Sequence, residues 1–232
     1  MVTLTRIRRL VDDVGFFTAL LHVAGRTLSC LGHQAALHDL VLFAQPVRAT
    51  PQLPAGRGAS IEVRSYSGQQ ALDAGLPCPA EHAVARRGNG MHCLAAYREG
   101  RLIAFQWVNL GSHQDELVRA RYVPMPEGRS AWSFDMHVDS AHRGGLAFAR
   151  LTDATWALLR AHGRTEVASY ILASNRGAIG AEQRLGGRRL GRAVHLRLGP
   201  LQLLIASLPP YLHLSASDRG APVMRVGDGS TS

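Results

Sequence analysis

The spacing of the apolar residues changes after Val138, and this change limits the architectures that the chain can adopt. Residues 131–138 have the composition of a strand, whereas the next segment repeats its apolar residues every three or four positions, as an amphipathic helix does. Gly144 and Gly145 separate the two segments. The helical repeat consists of Ala147, Leu151, Ala154 and Leu158. A strand is therefore predicted to lead through a short glycine loop into a helix that ends near Gly163.

The rest of the sequence places further strands and helices around this segment. Apolar runs at 93–97 and 102–109 flank a turn that contains Glu99 and Gly100, which predicts a β-hairpin. Further strands are predicted at 37–47, 61–66, 116–123, 167–172, 193–198 and 201–206, and further helices at 4–31 and 178–185. This order is typical of an α/β protein with a mixed sheet.

Composition divides the chain into three parts. Residues 48–59 are rich in Pro and Gly, so residues 1–59 are predicted to be an N-terminal helical extension with its linker. The main domain is expected at 60–207. The segment 208–232 ends in Gly, Ser and Asp and is predicted to be a flexible C-terminal tail.

All 26 basic residues are arginine, and no lysine occurs in the 232 residues. A lysine nucleophile or Schiff base is therefore excluded. The net charge of +9 suits an anionic cofactor, a nucleic acid or an anionic membrane surface, and it also follows from a GC-rich genome alone. Because the arginines are dispersed and aromatic residues make up only 6% of the chain, a nucleic-acid partner is disfavoured.

The cysteines indicate the redox environment. Cys30, Cys78 and Cys93 are far apart and form no CxxC pair, so neither a disulfide framework nor a zinc knuckle is predicted. We expect reduced thiols and a cytoplasmic protein.

Residues 4–31 are predicted to be an amphipathic helix. The apolar run at 14–24 is shorter than the roughly 20 residues that span a bilayer. Asp12 and Asp13, which precede it, argue against a signal peptide. Two interpretations stay open: the helix packs on the domain, or it makes a peripheral contact with an anionic membrane.

The loop before the long helix has the features of an anion site. Backbone N–H groups at a helix N-terminus attract anions, glycines allow a phosphate to approach the backbone, and Arg143 adds a charged donor. A simple tight turn between strand and helix explains the same residues.

Three segments resemble the GNAT superfamily of N-acetyltransferases. They are the strand ending in Val138 with the loop Arg143-Gly144-Gly145 and its helix, Ser174-Asn175 with the short helix ending at Arg184-Leu185-Gly186, and the hairpin at 93–107. The resemblance covers about residues 60 to 200, and the chain is identified as a divergent bacterial member. It implies a mixed, mostly antiparallel central sheet flanked by helices, with the N-terminal helical extension outside it.

The resemblance also implies acetyl-CoA or another acyl-CoA as co-substrate and no metal. Backbone groups of Met136, His137 and Val138 would pair with the pantetheine amides, and Asn175 would bond to the pantetheine arm. The N–H groups of Arg143, Gly144, Gly145, Leu146 and Ala147 would hold the pyrophosphate.

The chain departs from the family pattern at four places, one of which is His142, at the position where Gln or Arg often opens the loop. Glu182 replaces a tyrosine that in many members protonates the leaving thiolate, and Gly187 replaces an aromatic residue. Gly144 and Gly145 are adjacent, where the family has one more residue between its glycines.

Asp135 and Glu182 are the candidate catalytic residues. A period of two places Asp135, His137 and Asp139 on one strand face, and Asp135 is predicted to be the base, with a structural carboxylate as the alternative. Glu182 would serve as acid or base if burial raised its pKa, and is otherwise part of a solvated helix face. A metal site at His137, Asp139 and His142 is disfavoured because their spacing matches no recognised ligand set.

The sequence thus predicts direct transfer of an acetyl or longer acyl group from acyl-CoA to an amine or hydroxyl of a small molecule or peptide. Residues 67–92 and 110–130 are expected to select this acceptor. The alternative is a catalytically silent CoA-binding sensor or scaffold of the same fold.

Overall fold

The computed structural model describes residues 35–88 and 90–227. Its strands are β1 (Ala35–Pro46), β2 (Glu62–Ser67), β3 (Met91–Arg98), β4 (Arg101–Asn109), β5 (His113–Gln114), β6 (Arg121–Met125), β7 (Ser130–Val138), β8 (Glu166–Leu172), β9 (Arg188–Leu198), β10 (Leu201–Ala206), β11 (Leu212–Ser215) and β12 (Val223–Gly227). Its α-helices are α1 (Gly68–Asp73), α2 (Ala83–Arg86), α3 (Leu146–Ala161) and α4 (Arg176–Arg184), and 3₁₀ turns lie at Ala80–His82, Ser140–His142 and Asp218–Gly220.

The described residues form two compact units. The α3 unit comprises residues 46–113 and 124–168 apart from position 89, and the β9 unit comprises 35–45, 114–123 and 169–227. Strand β8 contributes its first three residues to the α3 unit and the rest to the β9 unit.

The α3 unit contains the strands β2, β3, β4, β7 and β8, in that order. Neighbours are antiparallel except for β7 and β8, which pair in parallel over Ser130–Trp132 and Glu166–Ala168. Strand β7 then continues to Val138 along β4. The predicted hairpin is confirmed, because β3 pairs with β4 around the Glu99-Gly100 turn.

Helix α3 packs on one face of this sheet, as its predicted apolar stripe requires. Its residues Ala147, Leu151 and Leu159 are buried against the strand residues Leu94, Ile103, Val108, Ala131 and Val167. The other face holds Cys93, Ala95, Phe105 and Trp107, which pack with Ala71 and Leu76. All three tryptophans are fully buried.

The segment predicted as a linker, residues 48–59, is fixed to α3. The Asp153 carboxylate accepts hydrogen bonds from the N–H groups of Gln52 (2.8 Å) and Leu53 (3.3 Å). A Cβ at Gly58 would lie 3.1 Å from Cδ of Arg150, so this glycine lets the backbone lie against the helix. Residues 48–59 are therefore part of the packing of the α3 unit.

The β9 unit contains β8, β1, β9, β10 and β11, in that order. Strand β1 lies within the predicted extension 1–59 and pairs antiparallel with β9. Strands β11 and β12 lie within the predicted flexible tail 208–232, and β11 pairs with β10. For β1 the structure departs from the predicted division because its partner β9 lies about 150 residues away, and such a distant pairing leaves no local sequence pattern.

The predicted fold class, a mixed and mostly antiparallel sheet flanked by helices, is confirmed. The strand predicted at 116–123 is largely replaced by a turn, since the Asp115 carboxylate accepts the N–H groups of Leu117 (2.9 Å) and Val118 (2.8 Å). The helix predicted at 4–31 lies outside the described residues. Within 35–88 and 90–227, no helix has the length and apolar character needed to cross a membrane.

Candidate functional site

Strand β7 carries a β-bulge at Asp135. Trp107 of β4 pairs with Phe134, and Phe105 pairs with His137, so two residues of β7 lie opposite one residue of β4. Asp135 has a φ of 47°, in the left-handed region that few non-glycine residues adopt. Such a bulge leaves the extra residue outside the hydrogen-bond ladder and bends the strand.

The bulge overturns the alternation predicted for this strand. Residues that pair directly across a sheet share a face, so Phe134 and His137 lie on the face of Trp107 and Phe105, although they are three positions apart. A period of two therefore does not hold along β7, because the strand holds one additional residue at the bulge. The His137 ring instead stacks on Phe105, with 5.6 Å between centroids.

The Asp135 carboxylate is held by a buried arginine. Nη1 of Arg86, at the end of α2, lies 2.7 Å from Oδ2 of Asp135, and the Arg86 side chain is only 1% exposed against 38% for Asp135. The guanidinium also lies over the rings of Trp107 (4.7 Å) and Phe134 (5.2 Å). Cation–π contacts and the ion pair together offset the cost of burying this charge.

Two buried groups beside this cluster are uncharged. Burial, with a further contribution from Arg86, lowers the pKa of His113 to about 3, and the neutral ring stacks on Phe134 at 4.1 Å. Burial raises the pKa of the Cys93 thiol to about 12. Because the thiolate is the nucleophilic form of cysteine, Cys93 is unsuited to form a covalent intermediate.

The loop from β7 to α3 presents backbone N–H groups. Gly144 has a φ of 73°, with no atom within 4 Å of a Cβ placed there, and Gly145 begins the helix without a side-chain cap. Residues 143–145 are exposed. Arg143 is anchored by a hydrogen bond from its Nε to the Val138 carbonyl (3.1 Å). This arrangement has the geometry of an anion site at the N-terminus of a 16-residue helix.

Arg150, on the second turn of α3, was not singled out from the sequence. Its stem and the Leu146 side chain both border Gly58. The Arg150 Nε atom is buried, and no described residue forms a hydrogen bond with it. A buried, unsatisfied donor beside an uncapped helix start is a second positive group at this place.

The remaining predicted site residues, Asn175 and Glu182, belong to the β9 unit. Asn175 caps α4, because its Oδ1 accepts the N–H of Ala178 at 3.1 Å. Glu182 lies in the last turns of α4 and is half-buried, and this burial raises its pKa to about 7. Every other candidate, from Asp135 to Ala147, lies in the α3 unit.

Gly187 makes room for the Glu182 side chain. A Cβ at position 187 would lie 2.8 Å from the Cγ, the Oε1 and the backbone oxygen of Glu182, closer than side chains tolerate. The N–H of Gly187 also donates to the Glu182 carbonyl at 2.9 Å. The turn after α4 therefore needs glycine at 187 to keep this carboxyl in place.

Among the residues that the structure describes, no group of three or more His, Cys, Asp or Glu side chains is arranged to hold a metal ion. His137, Asp139 and His142 therefore do not form such a group.

No protein-family model matches the sequence, and no curated protein is significantly similar to it. The fold is similar to that of an aminoglycoside acetyltransferase from an uncultured soil metagenomic sample, solved with trehalose (12% identity, TM-score 0.41, 55% of this chain and 88% of that chain). It is also similar to an aminoglycoside N-acetyltransferase in complex with CoA (16% identity, TM-score 0.40, 57% of this chain and 91% of that chain). A third similar structure is a Novosphingobium aromaticivorans protein described as a candidate GNAT-family acetyltransferase (18% identity, TM-score 0.44, 70% of this chain and 65% of that chain). The solved structures similar to this fold include GNAT-family and other acetyltransferases.

Proposed function

We propose that the protein transfers an acyl group from acyl-CoA to an amine acceptor by direct attack of the amine on the thioester. The main support is that two features suited to binding CoA follow each other within residues 134–147. A bulged strand end offers backbone groups outside its ladder, and an uncapped helix start follows behind a glycine loop. The first suits the amides of pantetheine, and the second suits a pyrophosphate.

The pyrophosphate is assigned to the N–H groups at the start of α3. Gly144 leaves open space above the loop, so a phosphate oxygen can approach the backbone. Arg143 and Arg150 add guanidinium groups, which bind phosphate through paired donors. The N–H groups in this assignment are those of Arg143, Gly144, Gly145, Leu146 and Ala147. The N–H groups of Arg143 and Gly145 would exchange their long hydrogen bonds to the carbonyls of Ser140 (3.4 Å) and His142 (3.3 Å) for the phosphate.

The pantetheine arm is assigned to the edge of β7 that faces away from β4. Backbone N–H and C=O groups of the segment Met136, His137 and Val138 would pair along this edge with the two amides of an extended ligand. Asn175 keeps its carboxamide nitrogen as a donor while its oxygen caps α4. Its role toward pantetheine rests on the family resemblance.

The chemistry needs a polarised carbonyl, a proton acceptor and a proton donor. Backbone groups at the bulge would polarise the thioester carbonyl. The amine nitrogen bonds to the carbonyl carbon as the C–S bond breaks, and its proton passes to Asp135. The ion pair with Arg86 engages Oδ2, so Oδ1 is the atom assigned to bind the amine. Glu182, protonated below a pKa of about 7, would return a proton to the thiolate.

Binding is tested by thermal unfolding with acetyl-, hexanoyl- and palmitoyl-CoA. A ligand that binds only the folded state raises Tm by mass action. Gly144→Asp places a carboxylate in the proposed anion site and should abolish the shift. Gly128→Asp is the matched control, since Gly128 has a φ of 77° against 73° and equally open surroundings. No shift with any of the three thioesters would contradict the assignment.

Turnover is tested by thiol release with a panel of amines, including polyamines, an aminoglycoside and an N-terminal peptide. An exposed carboxylate such as Asp135 suits cationic acceptors, so these should react fastest. The replacement of the family's tyrosine by Glu182 favours a second function, a silent CoA-binding module. A Tm shift with an intact thioester across the whole panel would establish that second function.

A further inference from the structure

Three polar side chains connect β4, β7 and α3 within the α3 unit. Nε2 of Gln106 donates a hydrogen bond to Oγ of Ser133 (2.5 Å), and Oγ1 of Thr155 donates to Oε1 of Gln106 (2.9 Å). The carbonyl of Leu151, also at 2.9 Å, is an alternative acceptor for the Thr155 proton. Gln106 is 7% exposed and Thr155 is 3% exposed. We call Gln106, Ser133 and Thr155 the Gln106 triad.

The Gln106 triad lies in apolar surroundings. Gln106 pairs directly with Leu94 of β3, and Thr155 lies on the buried side of α3 between Leu151 and Leu159. These three leucines belong to the core under the helix. Burial of a carboxamide costs free energy that its hydrogen bonds only offset, whereas apolar side chains of similar size would pack there without that cost. The polar side chains are therefore not needed to fill the core.

Gln106 lies opposite the bulge of β7. Its two neighbours on β4 pair with residues on either side of the bulge, so both residues of the bulge face Gln106 across the ladder. The Asp135 carboxylate binds Arg86, whose guanidinium lies over Trp107 on the side of the sheet away from α3. Gln106 bonds instead to Ser133, which lies diagonally across from it, before the bulge.

A regular ladder would break this arrangement. If the strand slipped by one residue after Phe134, Asp135 would pair directly with Gln106 and turn its side chain to the α3 side. The carboxylate would then give up its ion pair with Arg86 and compete with the Ser133 hydroxyl for the same carboxamide. Because the two hydroxyls already bind that carboxamide, the bulged register keeps all of these bonds.

Thr155 connects the bulge to the helix that follows the glycine loop. It lies about two and a half turns after the first residue of α3, Leu146. A helix is stiff over this length, so a bond at Thr155 also fixes the N–H groups at the helix start relative to β7. A ligand that binds at both places requires this spacing, and a misplacement of about 1 Å lowers a reaction rate up to about 100-fold.

We propose that Gln106 is a positioning residue for the acyl transfer described above. Through Ser133 and Thr155 it keeps the bulge of β7 in place, with Asp135 directed away from α3, and it fixes the bulge relative to the start of that helix. The catalytic consequence rests on the proposed function, whereas the effect on the bulge is measurable without a substrate.

The first experiment measures hydrogen exchange of the full chain by mass spectrometry. Thr155→Val and Thr152→Val are a matched pair, since both threonines are buried on α3 and both Oγ1 atoms lie 2.9 Å from the carbonyl four residues earlier, while Thr155 also bonds to Gln106. Peptides covering 132–138 should exchange at least about fivefold faster in Thr155→Val and Gln106→Met. Thr152→Val should keep the wild-type rate.

Two results of this experiment would overturn the proposal. One is a wild-type exchange rate at 132–138 in Gln106→Met, which would show that the carboxamide does not hold the bulge. The other is equal acceleration in Thr152→Val and Thr155→Val, which would show that any buried threonine of α3 has the same effect. A peptide from β3 serves as the internal reference for the stability of the whole unit.

The second experiment measures thiol release from acyl-CoA. We expect kcat to fall about 10- to 100-fold in Gln106→Met and Thr155→Val, with the Tm shift caused by CoA retained. Thr155→Ser keeps the hydroxyl and should restore kcat to within about twofold of the wild type. A purely structural role would lower Tm and leave kcat of the folded protein unchanged, and that result would overturn the proposal. If the wild-type protein releases no thiol, the proposed function fails, and the exchange rates alone decide whether Gln106 holds the bulge.

Discussion

A Cβ at Gly187 would lie 2.8 Å from Oε1 of Glu182, so this glycine and this carboxyl form a single structural feature. Any side chain at 187 would enter the space that the Glu182 carboxyl occupies. The half-buried carboxyl at 182 therefore depends on the glycine at 187. Burial raises the pKa of that carboxyl to about 7, in the range where a proton donor works near neutral pH.

Substitution of Gly187 should move the pH dependence of acyl transfer. If protonated Glu182 is the active form, the wild-type rate falls as the pH rises through about 7. Gly187→Ala pushes the carboxyl toward water, so its pKa should fall toward the ordinary 4.5 and the descending limb should shift to lower pH. The measurement is kcat between pH 5 and 9. Glu182→Gln cannot titrate and should lack this limb; an identical limb in all three proteins would assign it to another group.

The Arg86–Asp135 pair should show strong coupling in a double-mutant cycle. Asp135→Asn removes the carboxylate that pairs with the buried Arg86 guanidinium and should lower the free energy of unfolding by about 2–3 kcal/mol, while asparagine tolerates the positive φ. Arg86→Met leaves a carboxylate that is 38% exposed and should cost less, about 1–2 kcal/mol. The double variant should lose at least about 1 kcal/mol less than the sum. Urea unfolding measures all four proteins, and strict additivity would show that the two side chains act separately.

His113 should make the protein sensitive to acid. Its pKa is about 3 in the folded protein, compared with an ordinary 6.5. Between these two pH values the unfolded chain therefore binds a proton at His113 that the folded protein does not bind. Stability that is complete above pH 6.5 is therefore lost as the pH falls toward 3, on the order of 2–3 kcal/mol by pH 4. His113→Phe keeps the stacking on Phe134 and should lose correspondingly less between pH 7 and 4. Urea unfolding at pH 7 and pH 4 measures this loss of stability in both proteins, and an equal loss in the two would exclude His113 as the cause.

Removal of the Asp153 carboxylate should release residues 48–59 from α3. Asp153→Ala deprives the N–H groups of Gln52 and Leu53 of their acceptors, at about 1–2 kcal/mol in total. Cleavage by trypsin after Arg57 should then accelerate, which mass spectrometry of timed digests detects. Asp153→Asn keeps one acceptor oxygen and should be cleaved at an intermediate rate; cleavage of Asp153→Ala at the wild-type rate would mean that other contacts hold the segment.

Much of the α3 unit could be predicted because its signals are local. The hairpin β3–β4 and helix α3 follow from apolar periodicity and turn residues that lie within a few positions of one another. The glycine loop is visible for the same reason. Strand β1 was recognised as a strand, but its partner β9 lies about 150 residues away, so its place in the sheet was not.

Several contacts that shape the site join residues that are distant along the chain or are visible only in three dimensions. The pairing of Arg86 with Asp135 joins α2 to β7, and nothing in either sequence segment marks it. The bulge depends on register with β4, which becomes visible only when both strands are placed. The sequence shows Glu182 and Gly187 only as two separate departures from the pattern that it resembles. In the structure they depend on each other, because a Cβ at position 187 would lie 2.8 Å from the Glu182 side chain.

The bulge in β7 also indicates which genetic change would abolish the proposed acyl transfer while keeping the strand pairing of the fold. Loss of one residue at position 135 or 136 would place a single residue opposite Gln106 and keep the pairs Phe134–Trp107 and His137–Phe105. Such a one-codon deletion would close the ladder and remove a positive φ, so the strand gains regularity. The extra residue costs the strand this regularity, and it keeps Asp135 beside Arg86. Length variation here, more than any substitution, would distinguish chains that keep the proposed chemistry from chains that keep only the fold.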